Sequence, residues 1–206
     1  MILLEAAVES VEAARAAAEG GAHRLELCTD LAHGGTTPDL KLLRFRLPLP
    51  VFVLIRPRAG DFVYSDSEHR TMLDQIRIAK AAGAQGIVTG DLDGDHTRAL
   101  VAAARPLPVT FHRAFDVFPD LPAALERLIN LGIERVLTSG GASTAPEGAE
   151  QIRRLVVQAK GRIEILPGGG ITPANVAQLV RETGVREVHF SVTDAEKVRA
   201  MLRSLG

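Results

Sequence analysis

The stretch Gly132-Ile133-Glu134-Arg135-Val136-Leu137-Thr138-Ser139 (GIERVLTS) opens on a glycine, runs through a short strand and closes on a small hydroxyl residue. The same register recurs at Gly21–Cys28 (GAHRLELC), Gly83–Gly90 (GAQGIVTG) and Gly184–Ser191 (GVREVHFS). Each copy follows an amphipathic helical stretch. Glycine is the residue that most readily takes the left-handed turn where a helix stops. One supersecondary unit is therefore repeated along the chain, and the repeat decides the architecture.

Four more strand-like runs fall between the copies: Ile2–Ala6, Val51–Ile55, Val109–His112 and Ile163–Leu166. Helical stretches separate them, among them Glu9–Glu19, Ser67–Ala81, Ala123–Leu131 and Ala174–Glu182. Thr37-Pro38 and Thr172-Pro173 each read as a cap followed by a proline at the first helical position. Eight βα units in 206 residues predict an α/β protein, a compact (β/α)8 TIM barrel that forms a single domain over residues 1–206. A doubly wound open sheet would usually end with fewer strands.

Strand side chains alternate between two faces. In the four repeated segments one face carries Leu25/Leu27, Ile87/Thr89, Val136/Thr138 and Val188/Phe190, which suits packing beneath the outer helices. The other face carries Glu26/Cys28, Val88/Gly90, Leu137/Ser139 and His189/Ser191. The register places Cys28, Gly90, Ser139 and Ser191 in one layer at the C-terminal rim, with Glu26 and His189 a layer below.

Charged residues gather at that rim. The fifth strand runs into His112, Arg113 and Asp116 (FHRAFD), the third delivers Arg56, Arg58 and Asp61 (IRPRAGDF), and Glu5 is read as the end of the first. After the seventh strand, Gly168-Gly169-Gly170 precedes a helix start. Such glycines let backbone N–H groups approach an anion, and loops after strands 7 and 8 commonly hold phosphate in this fold.

Composition narrows the function classes. The chain is 46% hydrophobic and 24% charged with a formal net charge of −1, the profile of a globular protein with no field to attract nucleic acid. No uncharged apolar run approaches the roughly 18 residues of a membrane span. The N-terminal residues do not read as a signal peptide. The single cysteine, Cys28, suits a reducing cytoplasm.

The motifs RLELC, GGTTPDL, IRPRAGDFVYS, TFHRAFD, LTSGG and LPGGGI, in this order, closely resemble the CutC family of copper homeostasis proteins, from about Glu5 to Ser191. The resemblance implies a cytoplasmic barrel, a homo-oligomer such as a dimer or tetramer, that handles or binds copper. Cu(I) would then be held by Cys28 with help from His112, His189 or a second subunit. No organic cofactor is indicated, and no membrane or nucleic-acid partner.

The residues themselves support a second reading, a barrel enzyme acting on a small phosphorylated or carboxylated metabolite. In it Gly168, Gly169, Gly170 and Ser191 border the anion site, Arg56 and Arg58 clamp an acidic group, and His112 with Glu26 or Asp116 moves protons. Cu(I) favours soft thiolate and thioether ligands, whereas one thiol is present and the methionines lie away from the rim. Glu5, Glu26, His112 and His189 are the residues that would suit a divalent cation.

Overall fold

The structure, a computed structural model, describes residues 1–192 and 194–206. Eight parallel strands form a nearly closed ring: β1 (Leu3–Val8), β2 (Arg24–Leu27), β3 (Val51–Leu54), β4 (Gly86–Thr89), β5 (Val109–Phe111), β6 (Arg135–Thr138), β7 (Glu164–Pro167) and β8 (Glu187–Ser191). Ladders join neighbours from β7 through β1 to β8, and β7 and β8 lie side by side where the ring closes. The fold is the expected (β/α)8 barrel.

Among the described residues seven α-helices surround it: α1 (Val11–Gly20), α2 (Asp66–Ala81), α3 (Gly94–Ala104), α4 (Leu121–Asn130), α5 (Ala149–Ala159), α6 (Val176–Thr183) and α7 (Ala195–Leu205). The second unit departs from expectation. Between β2 and β3 the chain makes only 3₁₀ turns at Leu31–His33 and Leu40–Phe45. Asp39, not Thr37, caps the second of these, its carboxylate accepting from the Lys41 N–H. Likewise α6 starts at Val176 after Asn175 rather than at Pro173. The hydroxyl of Thr37 accepts from the Arg56 N–H instead of capping, and at the second pair the Thr172 carbonyl accepts from the Val176 N–H while the Thr172 N–H donates to Asn175 Oδ1.

The four opening glycines, Gly21, Gly83, Gly132 and Gly184, all take positive φ of 73–96°, as their place after a helix requires. The alternation also holds. Leu25, Leu27, Ile87, Val136, Val188 and Phe190 join the helices in one large core, while Ala7, Cys28, Phe52, Leu54 and Val88 form a smaller cluster inside the ring. No helix among the described residues is long and apolar enough to cross a membrane.

The N-terminal half of the barrel interior is filled by charge around a ring. Glu187 accepts from Arg24 at 2.6 Å and from Arg135 at 2.7 Å, and both guanidiniums lie over Phe52, at 4.9 and 5.4 Å from its centroid. Phe52 fits because β4 begins with Gly86, where a β-carbon would stand 2.2 Å from the ring. Arg24 also reaches Glu5, so the buried ions are mutually satisfied.

Candidate functional site

At the opposite, C-terminal end the interior opens into a cavity of about 650 Å³. Glu26 and His189, which alternate inward from β2 and β8, form part of its wall. His112, Arg56, Gly169 and Gly170 border it from the loops above.

His112 directly follows β5 and caps the 3₁₀ turn Arg113–Val117, its Nδ1 accepting from the Ala114 N–H at 3.2 Å. That bond leaves the ring proton on Nε2, which is buried and has no protein partner. Burial, reinforced by the Arg56 charge, pushes the His112 pKa down to about 3. His112 is thus a neutral donor. Gly90 makes room for Phe111 and His112 together, since a β-carbon there would lie 2.8 Å from the first ring and 3.1 Å from the second.

Glu26 is 4% exposed, and its Oε2 is likewise buried without a partner. Burial, with a smaller contribution from the Glu5 charge, outweighs attraction to His189 and Arg24 and pushes its carboxyl up to about 7. Glu5 behaves oppositely. Burial would raise it, but the His189 bond and the Arg24 charge outweigh that and hold it at about 2. His189 Nδ1 bonds Glu5 at 2.9 Å, and the charges of Glu26 and Glu5 raise its pKa against burial. The trio Glu5, Glu26 and His189 therefore joins a firm anion, a base able to protonate and a carboxyl balanced near neutrality. Each offers a ligand atom within 4.8 Å of the others, so the trio also has the donors for a hard or borderline cation.

Several sequence expectations move. Glu5 is not at the rim: β1 continues to Val8, which buries Glu5 completely beneath the cavity. Arg56 borders the cavity, yet its guanidinium also donates to the Gly35 and Gly60 carbonyls at 2.8 Å each and stacks over Phe62. Arg58 turns away to Glu68 at 2.6 Å and Asp61 at 2.9 Å, because those acids cap and precede α2. Asp116 touches the cavity, but its oxygens accept from Thr138, the Ser139 and Gly141 N–H groups and Arg113. It fixes loops rather than offering a free base.

Of the glycines, Gly168 donates to the Thr138 carbonyl, and a β-carbon on it would lie 2.5 Å from Leu137. Gly169 and Gly170 border the cavity with φ of 95° and 72°, and among the described residues their N–H groups meet no protein acceptor. The helix end is set back from them, since α6 begins only at Val176. Of the expected rim layer, Ser191 reaches the cavity, whereas Cys28 and Ser139 are buried outside it. The Cys28 thiol lies 3.7 Å from the Val8 carbonyl, and burial plus the Glu26 charge push its pKa well up.

Sequence reasoning missed Lys197, on the first turn of α7, which borders the cavity and has no acid paired to its side chain among the described residues. It also missed the β-bridge Thr29–Thr36, which folds Leu31, His33 and Gly34 over the mouth. The proximity of α7 to β8 was the available signal for the lysine. Nothing local announced the bridge.

Comparison with known proteins places this geometry. The CutC family model matches residues 2–194. A human copper homeostasis protein cutC homolog is 52% identical over 198 residues, covering 92% of this chain and 72% of that protein. The crystal structure of a CutC protein from Streptococcus agalactiae superposes with a TM-score of 0.85 at 36% identity, covering 92% of this chain and 98% of that one. Thiamine phosphate pyrophosphorylase from Pyrococcus furiosus, 16% identical with a TM-score of 0.68, covers 99% of this chain and 95% of its own and shares the fold. With most of its length matched by the family model and by relatives of this identity, the chain belongs to the CutC family.

Proposed function

We propose that the barrel mouth binds a small phosphorylated or carboxylated metabolite and that Glu26, coupled to His189, exchanges a proton with it. One observation carries the reading: a carboxyl oxygen of Glu26 and the Nε2–H of His112 are buried at one cavity without protein partners. Buried polar groups are nearly always satisfied, so a pair left over in a cavity suits a ligand. Lys197 and Arg56 supply positive charge, and the N–H groups of Gly169 and Gly170 suit anionic oxygens. Glu26, balanced near pH 7, can give or take a proton at physiological pH. His112, neutral throughout, can donate to a developing oxyanion.

Copper homeostasis belongs to the names of the relatives, and Cu(I) fits these residues poorly. Cys28 is buried, held against a carbonyl and hard to ionise. Met72 and Met201 lie buried in the helical core, away from the cavity. A soft two-coordinate site needs more than this.

Sulfate, which does not titrate near neutrality, is the probe. Amide NMR should show millimolar binding with shifts at Gly169, Gly170 and Lys197 and at the His112 ring. Affinity should fall as pH rises through about 7, where Glu26 loses its proton, and this step should vanish in Glu26→Gln. Shifts confined to scattered surface arginines, or pH-independent binding by the wild type, would refute the proposal.

A further inference from the structure

A second group of potential ligands lies outside the barrel cavity, where α2 and α3 pack together. His69 sits on the first turns of α2, His96 on the first turn of α3, and Asp91 in the loop between β4 and α3. The imidazoles stack with centroids 4.1 Å apart and planes within 12°. Asp91 is 1% exposed, and its Oδ2 meets His96 Nδ1 at 2.9 Å. One ligand atom from each of the three residues lies within 4.8 Å of the other two.

We infer that His69, Asp91 and His96 form a binding site for a first-row divalent transition-metal ion such as Zn²⁺. Two imidazoles and a carboxylate are the borderline donor set such ions select over Mg²⁺ or Ca²⁺. His69 supplies an independent sign, because its Nδ1 is buried with no hydrogen-bond partner in the protein. A buried donor or acceptor left unmade is costly, and an ion beside the stacked rings, in line with the in-plane nitrogen lone pairs, would satisfy it.

The surroundings hold the donors in place before any ion arrives. A capping box of Ser65 and Glu68 fixes the start of α2 just ahead of His69. The Asp93 carboxylate accepts from the Asp95 and His96 N–H groups and fixes the start of α3. Asp91 is anchored through its backbone to Thr97, at 2.8 and 3.2 Å, and its Oδ1 accepts from the Asp93 N–H. His96 is 23% exposed, so the site opens to solvent and water can complete the coordination. Asp66, whose Oδ1 is 3.9 Å from His96 Nε2, adds negative charge at the entrance.

Isothermal titration with Zn²⁺ on the intact protein tests this. We expect an equivalent bound at micromolar affinity that is at least tenfold weaker in His69→Asn and in His96→Asn; in His189→Asn, which removes a donor of the barrel trio, this equivalent remains and any second one held by the trio is lost. Imidazole NMR of the unmodified protein reads the same site without substitutions: His69 and His96 should shift together on addition of Zn²⁺. Absence of binding, equal binding by the two helix variants and the wild type, or shifts at other histidines alone would overturn the assignment.

Discussion

The two halves of the barrel interior hold similar residues in opposite conditions. Below, Glu5 and Arg24 are buried, Arg135 and Glu187 are 12% exposed, and each charge meets another. Above, Glu26 and His112 are equally buried and each keeps a polar atom to itself. Charge and burial alone do not distinguish a scaffold from a site. Saturation does: the lower ions answer one another, and the upper groups have capacity left for something else.

The largest test breaks the lower half. Glu187→Ala removes the counter-ion shared by two guanidiniums and leaves them adjacent and underpaired, at a cost of about 3–5 kcal/mol. Chemical denaturation measures it, and a loss below about 1 kcal/mol would mean these ions are not the keystone of that end. Gly86→Ala tests the apolar part of the same end. Its β-carbon collides with Phe52, and the overpacking should cost about 1–3 kcal/mol without changing sulfate binding at the mouth.

The upper half should respond with the opposite sign. Folding raises the Glu26 pKa from 4.5 to about 7, so the native state binds the proton more tightly than the unfolded chain does. Stability therefore falls as pH rises from about 4.5 to 7, and the deficit persists above that. Glu26→Gln should match the wild type below about pH 4.5 and exceed it at pH 8 by about 3 kcal/mol. The same change should lower the His189 pKa, since the Glu26 charge helps to raise it. A variant less stable than the wild type at pH 8 would place Glu26 with the saturated ions of the lower half.

The architecture was legible because it rests on local rules that repeat. Glycines at helix ends and the twofold alternation of β2, β4, β6 and β8 are written residue by residue, so the inward direction of Glu26, Cys28 and His189 followed from spacing. What the inward residues do there was not legible. Arg56 and Arg58 are two apart in one motif, yet one borders the cavity and the other is held by Glu68 on α2. Asp116 looked like a free carboxylate until Thr138 and Ser139 from β6 and its loop used it. Partners from distant strands decide such roles, and so do Lys197 and the Thr29–Thr36 bridge. The missing helix between β2 and β3 has a similar cause: its turns serve to carry the loop over the mouth, where Arg56 grips Gly35.

The Phe52 ring, lodged in the gap that Gly86 leaves and clasped by two arginines, stoppers the barrel at its foot. A stoppered vessel has one doorway. With the foot blocked, an occupant exchanges through the mouth that His33 and Gly34 border, and departure of one precedes arrival of the next. Under the function proposed above, a molecule retained in the cavity would compete directly with the incoming one.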